Sequence, residues 1–369
     1  MMSVMSGATI SPTLPEMTAA FPGNPSAETL VKLVLTIPGL FIALTAPFSG
    51  WIIDQFGRVK LLVSMLAVYA IAGTAGFYLD TLFEIIVSRA ILGIAVGGIM
   101  TTSVALIGDL FEGTERQKLL GIQAGIMSLA GTIFISAGGA LADYGWRYPF
   151  LIYGLAIAAI PLVLLYIKEP PKVTKSALQT DEGRTIPKQA WMVYLIGFLG
   201  MSSFYMMPVQ IPFFIKSVDD VSNAAIGLSL ALAMLAAGLV SFNYKKLKNR
   251  FTYNQVYGIS FFIMGVGYFA ISYANSYLWV FPGMIIAGAG AGLIMPNSNL
   301  CMVNLASPQN RGRVLGLLTT FFFLGQFASP LILQPLVNLT SITEAFFYLS
   351  LVIMSVALIS LIRNKRLVK

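Results

Sequence analysis

Residues 50–60 read GWIIDQFGRVK, so an aspartate, a glycine and two cations separate two long apolar stretches of the chain. Charged side chains are costly beside hydrocarbon, and a charged turn between apolar segments therefore belongs at a membrane surface. Arg58 and Lys60 alone would mark the cytoplasmic side of a membrane, which leaves Asp54 and Gly57 unexplained. The turn predicts a polytopic membrane protein in which this loop has a further task.

The composition agrees with a membrane protein and excludes several classes of function. Hydrophobic residues make up 57% of the 369 residues and charged residues 10%, against about a quarter in soluble domains. The net charge of +8 is spread in short runs between apolar segments, unlike the basic face of a nucleic-acid-binding protein. Histidine is absent and the single cysteine, Cys301, lies in an apolar run, which excludes disulfides, histidine metal sites and a Ser-His triad. We therefore expect no cofactor, no nucleic-acid partner and no enzymatic activity.

Hydropathy predicts twelve apolar segments, numbered helices 1 to 12 in chain order: 1–15, 27–53, 61–79, 82–107, 118–141, 147–167, 191–215, 223–243, 254–274, 278–303, 314–336 and 345–362. Helices 2 to 12 have the length of about 20 residues that crosses a bilayer. Helix 1 is too short, because its apolar pattern begins at Met1 and meets Pro12, Pro15 and Glu16 after one hydrophobic face. It also lacks the basic start of a signal peptide, so we interpret it as the outer half of a helix whose inner half is missing from this chain.

The distribution of cations predicts the orientation in the membrane. If the turn at 50–60 is cytoplasmic and the loops alternate, most lysines and arginines fall on the cytoplasmic side. The outer side and the outer helix ends keep only Lys32, Arg89, Arg147 and Lys216. We therefore expect an integral protein of a bacterial-type plasma (inner) membrane, with the central linker and the C-terminus in the cytoplasm.

One long polar connection, 168–190, divides the chain into halves of six predicted helices each, 1–167 and 191–369. An internal repeat relates the halves, because DLFEGTERQKLLG at 109–121 corresponds to NLASPQNRGRVLG at 304–316 with an offset of 195 residues. The same offset relates the glycines of the preceding helices, pairing Gly93 with Gly288 and Gly97 with Gly292. Two bundles of parallel topology, related by a pseudo-twofold axis, are the plan of transporters whose substrate site lies between the halves.

Three segments resemble the major facilitator superfamily of transporters. The turn at 50–60 is similar to the family's loop between helices 2 and 3, and RAILGIAVGG at 89–98 is similar to its helix-4 motif R-x-x-x-G-x-x-x-G-G. Residues 292–330 resemble helices 10 and 11 of the twelve-helix drug:proton antiporter branch. The resemblance implies an all-α fold of two six-helix bundles, here with an incomplete first helix. It also implies alternating access, a small-molecule substrate, coupling to protons, and a monomer in the lipid bilayer.

By this resemblance the loop is a gate, whose residues are Gly50, Asp54, Gly57, Arg58, Lys60 and Asp109. Gly50 lets helix 2 approach a neighbour closely. Asp54 ends helix 2, where a carboxylate can face the positive N-terminal end of another helix. The resemblance implies that this partner is helix 11, and that Arg58 pairs near Asp109 when the transporter is closed on the inside. The alternative is an ordinary turn that only sets the topology.

A second group of residues is predicted for coupling or for the cavity: Arg89, Tyr205, Gln210, Asn297, Asn299 and Gln326. Arg89 lies well inside helix 4, so it should face the bundle interior or a wet cavity; the alternative is outward snorkelling past Glu84. The asparagines follow Pro296, which breaks helix 10, and they either bind substrate or satisfy the broken backbone. The other three lie on proline-containing helices 7 and 11, with hydrogen bonding between helices as the alternative role.

Two departures from the family pattern concern proton antiport. The helix 5 segment GTIFISAGGALA at 131–142 lacks the proline of the family's antiporter signature, and helix 1 lacks the acidic residue of many proton antiporters. The counterpart of the gating loop in the second half, after Gly238, keeps its cations but has no aspartate.

We interpret the chain as a secondary transporter that exports small amphiphilic or drug-like molecules in exchange for protons. A sugar or metabolite transporter of the same fold is the first alternative. A membrane sensor or scaffold that transports nothing is the second, because a fold does not determine a function.

Overall fold

The computed structural model describes residues 2–169, 186–307 and 310–362, without the side chains at 3–4, 46–56 and several positions within 114–128. Every regular element in this part of the chain is a helix. We number the main helices in chain order: α1 (Met2–Ala8, Ser11–Thr13 and Leu14–Ala19), α2 (Ala27–Phe56), α3 (Arg58–Thr74), α4 (Leu82–Leu110), α5 (Gly113–Ala142), α6 (Tyr148–Leu155 and Ala156–Tyr166), α7 (Lys188–Val218), α8 (Asn223–Phe242), α9 (Tyr253–Ser272), α10 (Tyr277–Ala291 and Ile294–Leu305), α11 (Arg311–Leu339) and α12 (Ile342–Ile362). A short helix, Tyr244–Lys248, connects α8 and α9.

The long helices lie where hydropathy predicts membrane spans. In the described ranges ten helices are long and apolar enough to cross a membrane. The described apolar stretch of α5, Leu129–Ala142, belongs to a further helix of 30 residues. α1 is shorter and consists of three pieces around Pro12 and Pro15. The protein is therefore an all-α polytopic membrane protein, as predicted.

The buried apolar residues form two large clusters, one for each half of the chain. One cluster is built from α1–α4 and α6, and the other mainly from α7–α12. Two bundles follow from this division, as the internal repeat predicts. Most of the predicted linker 168–190 lies outside the described residues, so the boundaries of the halves at 1–167 and 191–369 stay predictions.

Small residues bring α4 and α10 close to a neighbouring helix in the same way in both halves. A Cβ atom added to Gly93 would meet the backbone of Pro38 on α2, and one added to Gly288 would meet the backbone of Ala233 on α8. Contacts this close need glycine, since any side chain would push the helices apart. The glycines that the repeat pairs therefore pack in the same way, and the relation of α4 to α2 repeats in that of α10 to α8.

Helix α10 is interrupted near its middle, as the proline in this region predicts. Its first piece ends at Ala291 and its second begins at Ile294. Pro296 lies in the first turn of the second piece, where the backbone N–H has no partner inside the helix in any case. The interruption places Asn297 near the start of the second piece rather than in the middle of a continuous helix, and Asn299 lies two residues further on.

Candidate transport site between the two halves

The N-terminal and C-terminal halves meet where α5 packs against α8. Gly139 and Gly227 face each other so closely that a Cβ atom on either one would lie 2.9 Å from the Cα atom of the other. Asp143, just after α5, accepts hydrogen bonds from the backbone N–H groups of Asn223 (2.7 Å) and Ala224 (3.4 Å). A carboxylate is favoured there, because the first N–H groups of a helix have no internal partner and its N-terminus is positive. The N-terminal half thus caps a helix of the C-terminal half, on the face that the cation distribution predicts to be the outer one.

A second contact between the halves, where α2 packs against α11, surrounds a buried lysine. The Nζ atom of Lys32 donates hydrogen bonds to the Oε1 atoms of Glu28 (2.5 Å), Gln210 (2.7 Å) and Gln334 (2.6 Å). It also lies 4.3 Å from the centre of the Phe213 ring. Gln210 belongs to α7 and Gln334 to α11, so a single ammonium group joins the two halves.

Lys32 lies at the predicted outer end of α2, and its burial there was not predicted. Its exposed fraction is 0%, because the C-terminal half covers it. One feature of the sequence could have indicated a paired and buried lysine. Glu28 and Lys32 lie four residues apart, one helical turn, at the start of an otherwise apolar segment.

At the opposite, predicted inner end of α11, no heavy atom of the described residues lies within 4 Å of a Cβ atom added to Gly312 or Gly316. The side chains at 46–56, at the inner end of α2, are outside the described part. Nearer the outer end, an added Cβ atom on Gly39 of α2 would lie 3.0 Å from the Phe323 carbonyl oxygen and 3.1 Å from Cδ of Gln326. The described contacts between the halves therefore lie on the predicted outer face and along the middle of α2 and α11.

An apolar pocket lies where α1, α5, α7 and α8 come together between the halves. All of the residues that line it are apolar: Ala8, Ile135, Phe204, Met207, Pro208, Leu230, Ala233 and Met234. Two polar groups lie nearby, around Gly7. A Cβ atom on Gly7 would be 2.8 Å from Oη of Tyr205 and 3.3 Å from Nε2 of Gln326. The site offers mainly apolar contact, with few groups that can form hydrogen bonds.

Three of the predicted cavity residues lie at the contacts between the halves. Tyr205 and Gln326 come together around Gly7, and Gln210 bonds to Lys32. All three are buried, and Oε1 of Gln326 has no hydrogen-bond partner in the described part of the chain. The structure therefore brings residues from α7 and α11 against the N-terminal half, as their kinked helices suggest.

The two asparagines of α10 do not join this group. The Oδ1 atom of Asn297 accepts a hydrogen bond from Oη of Tyr244 (2.9 Å), and its Nδ2 donates to the Tyr253 carbonyl oxygen (3.1 Å). Burial raises the pKa of the Tyr244 hydroxyl, which keeps it protonated as the donor. These contacts favour the interpretation that Asn297 satisfies polar groups inside the C-terminal half. Asn299 is exposed and does not line the apolar pocket.

Arg89 lies inside the N-terminal half with an exposed fraction of 0%. Its guanidinium carbon is 4.4 Å from the centre of the Phe150 ring and 4.5 Å from that of Tyr153. Its three nitrogens make no hydrogen bond of ordinary geometry to the described residues. The prediction that this arginine faces a bundle interior therefore holds, and the snorkelling alternative is wrong. The partners of Arg89 are aromatic rings of α6, not groups on the C-terminal half.

The gating loop is held by contacts within the N-terminal half and with the start of the linker. Gly57 has φ of 87°, which a residue with a side chain rarely adopts. Nε of Arg58 donates to Oδ2 of Asp109 at 2.7 Å, so the contact suggested by the resemblance is present. A partner that the sequence analysis did not predict is Glu169, which accepts hydrogen bonds from the backbone N–H groups of Arg58 (2.5 Å) and Val59 (2.8 Å) at the start of α3.

The gating role itself stays a prediction. Arg58 and Asp109 belong to the same half, and they pair here while the halves are closed on the predicted outer face. That they pair when the transporter is closed on the inside stays a prediction. Lys60 is exposed. Gly50 and Asp54 fall within 46–56, where side chains lie outside the described part, so the contact of Asp54 with helix 11 stays a prediction.

Comparison with known families connects these features to a function. The sequence matches the model of the Major Facilitator Superfamily over residues 1–330 and, separately, over residues 193–367. The chain belongs to this superfamily. As a member of the superfamily it is a membrane transporter, and its two bundles are the two halves of that fold.

Curated relatives of this superfamily member include exporters. It is 24% identical over 298 residues to the quinolone resistance protein NorA of Staphylococcus aureus (strain MSSA476), a match that covers 78% of this chain and 75% of the relative. It is 21% identical over 329 residues to the bacillibactin exporter of Bacillus subtilis (strain 168), a match that covers 84% of this chain and 81% of the relative.

Solved structures confirm the superfamily fold. A D-xylose-proton symporter superposes with a TM-score of 0.79 at 16% identity, over 99% of this chain and 95% of the other. The xylose transporter XylE from E. coli, in an inward open conformation, superposes with a TM-score of 0.76 at 14% identity, over 99% of this chain and 97% of the other.

Proposed function

We propose that this superfamily member exports small amphiphilic or drug-like molecules across a bacterial-type plasma membrane, in exchange for protons that move inward. Its similarity to a quinolone resistance protein and to a bacillibactin exporter supports export. The substrate class is inferred from the pocket between the halves.

The similarity to these two relatives carries the proposal, and the apolar lining of the pocket supports it. The pocket measures about 10 Å³ in this structure, so the proposal requires it to widen as the halves move before it admits a drug-sized molecule. A pocket built from side chains such as Phe204, Met207 and Met234 gains free energy by removing apolar surface of a ligand from water. Methionine adapts to ligands of different shape, which suits a transporter of varied cargo. A sugar would instead require paired hydrogen-bonding groups for its hydroxyls, because unpaired polar groups are costly to bury. Tyr205 and Gln326 supply only a few such groups near the pocket.

The contacts between the halves support alternating access as the mechanism. In this proposal the halves, 1–167 and 191–369, rock about the pocket and are joined by the cytoplasmic linker 168–190. The α2–α11 and α5–α8 contacts close the outer face and leave the pocket to be loaded from the cytoplasm. The protein works as a monomer, with its C-terminus in the cytoplasm.

The gating loop closes the inner face at the opposite point of the cycle. Contacts of Arg58 with Asp109 and of the α3 N-terminus with Glu169 hold the loop in one position. In the proposed inside-closed state, Gly50 allows close approach of α2 to α11 and Asp54 faces the N-terminus of α11. Lys60, which is exposed, belongs to the same loop and also marks its cytoplasmic side.

Addition of a quinolone or an amphiphilic cation to energised everted vesicles that contain the protein is expected to dissipate the proton gradient. Each molecule that enters the vesicle is exchanged for protons that leave its acidic lumen. A pH-sensitive fluorescent dye measures the gradient, and vesicles without the protein are the control. A response to sugars but not to drugs would instead favour the metabolite transporter. Silence towards both classes would favour the sensor or scaffold.

A further inference from the structure

Lys32 makes hydrogen bonds to acceptors on three different helices. An ammonium group has three N–H donors, and here they bond to Glu28 on α2, Gln210 on α7 and Gln334 on α11. Burial of a charge is tolerable only when the charge is paired and hydrogen-bonded. The complete burial of Lys32 therefore depends on the two glutamines that the C-terminal half supplies.

A second layer of hydrogen bonds orients these acceptors. Nε2 of Gln334 donates to Oε1 of Glu28 (3.1 Å) and to Oδ1 of Asn338 (2.9 Å). Nε2 of Gln210 lies 3.4 Å from Oε1 of Gln334. The amide nitrogens are thus engaged by other acceptors, and the amide oxygens remain directed at Nζ of Lys32.

Opening of the outer face would affect the bonds of Lys32 unequally. Glu28 lies one turn away on the same helix, so its ion pair with Lys32 can persist in every state. The bonds to Gln210 and Gln334 cross between the halves and must break when the outer ends of α2 and α11 separate. The Lys32 network therefore opposes outer opening by a defined set of bonds.

Other ion pairs near the outer face do not oppose its opening. Arg147 pairs with Asp80 inside the N-terminal half, and Lys216 pairs with Asp220 inside the C-terminal half. Lys216 and Asp220 have the same four-residue spacing as Glu28 and Lys32, which makes Lys216 a matched control. Lys32 differs from both pairs because its remaining partners lie on the other half.

We propose that Lys32 is a positioning residue that holds the outer face closed, and that release of its bonds to Gln210 and Gln334 controls the step that opens this face. The inference rests on the proposed alternating access. It adds that Lys32 sets the balance between the outer-closed and outer-open conformations. Lys32 acts through the positions of α2, α7 and α11 and not through contact with the cargo. Its charge matters, because hydrogen bonds from charged donors are roughly twice as strong as neutral ones.

The test measures the distance between the outer ends of the two halves in the purified protein without cargo. Spin labels are placed on cysteines that replace the exposed residues Ala20 and Leu339, after Cys301→Ala, and pulsed electron paramagnetic resonance gives the distance distribution. Lys32→Met is expected to raise the ratio of separated to closed molecules by about tenfold or more, equivalent to about 1.4 kcal/mol. Lys216→Met is expected to leave the distribution unchanged.

Two further measurements distinguish positioning from general stability. Lys32→Arg keeps the charge and several donors, so it is expected to shift the distribution less than Lys32→Met does. The apparent Kd of a drug added from the inner side should rise in Lys32→Met, because only inward-facing molecules bind it. An unchanged distance distribution in Lys32→Met, or a lower melting temperature with no shift of the distances, would overturn the inference.

A second variant keeps the test decisive if Lys32→Met does not fold. Gln334→Leu removes one acceptor from the C-terminal half and is expected to shift the distribution in the same direction by a smaller factor. An unchanged distribution there contradicts the inference. The labels report conformation without any cargo, so failure of drug export leaves this test valid. Drug export with unchanged distances in Lys32→Met would retain the proposed function and reject the role of Lys32.

Discussion

Gly139→Val is expected to abolish export while each half stays folded, because the new side chain would prevent closure of the outer face. A Cβ atom at this position would lie 2.6 Å from the Asn223 carbonyl oxygen and 2.9 Å from Cα of Gly227. Both atoms belong to the backbone of α8, which cannot move aside as a side chain can. Overpacking costs about 1–3 kcal/mol, a shift of about 5- to 150-fold between conformations. Separation of α5 from α8 relieves the clash, so the outer-open state should accumulate.

The measurement is the rate of drug-driven proton movement in everted vesicles, normalised to the amount of protein in the membrane. Gly23→Val is the matched control, because no atom of the described residues lies within 4 Å of an added Cβ atom at this position near the same face. It should transport like the wild type. Wild-type rates in Gly139→Val would mean that the α5–α8 contact need not form during transport. Loss of the protein itself would mean that Gly139 serves folding and not closure.

Arg89→Met is expected to reduce export by about tenfold or more without lowering the melting temperature. Each unsatisfied buried donor costs about 1–3 kcal/mol, and stacking of a desolvated cation on an aromatic ring returns about 2 kcal/mol. Five N–H donors at this cost outweigh the return of about 4 kcal/mol from the Phe150 and Tyr153 rings, so methionine should fill the site without loss of stability. A charge kept in a membrane interior at such expense is expected to serve transport.

Thermal unfolding of the purified protein and drug transport by the same variant separate the two roles of Arg89. Equal melting temperatures with lost transport indicate a functional cation. A large fall in melting temperature, with transport per folded molecule retained, would show that the guanidinium only packs the N-terminal half. Arg147→Met offers a comparison, because Arg147 pairs with Asp80 near the outer surface and stacks on Trp146.

Features that depend on nearby residues could be predicted from the sequence. Hydropathy locates the long helices, because a span is defined by its own residues. The interruption of α10 follows from Pro296, and the packing of Gly93 and Gly288 follows from their small-residue spacing. The pseudo-twofold relation follows from the repeat. These features account for the fold almost completely.

Features that depend on distant residues could not be predicted. Lys32 bonds to residues that lie 178 and 302 positions away, Gln210 and Gln334. Its position in the sequence is that of an ordinary cation at a helix end, and only the closed outer face buries it. Asn297 is a similar case, because its amide forms hydrogen bonds with Tyr244 and Tyr253 inside the C-terminal half and not with the other half. A single sequence does not reveal such pairings, so the candidate site was only partly predictable.

The central claim is proton-driven export of amphiphilic molecules, and reconstitution of the purified protein into liposomes tests it most directly. Liposomes with an acidic lumen are mixed with a permanently charged amphiphilic cation such as ethidium, which cannot accumulate as a weak base does. Protein inserted with its cytoplasmic face towards the medium should concentrate the cation in the lumen as protons leave. A protonophore should abolish this accumulation. Protein-free liposomes should show none. Accumulation that does not depend on the proton gradient, or no accumulation across a panel of amphiphilic cations and quinolones, would contradict the claim.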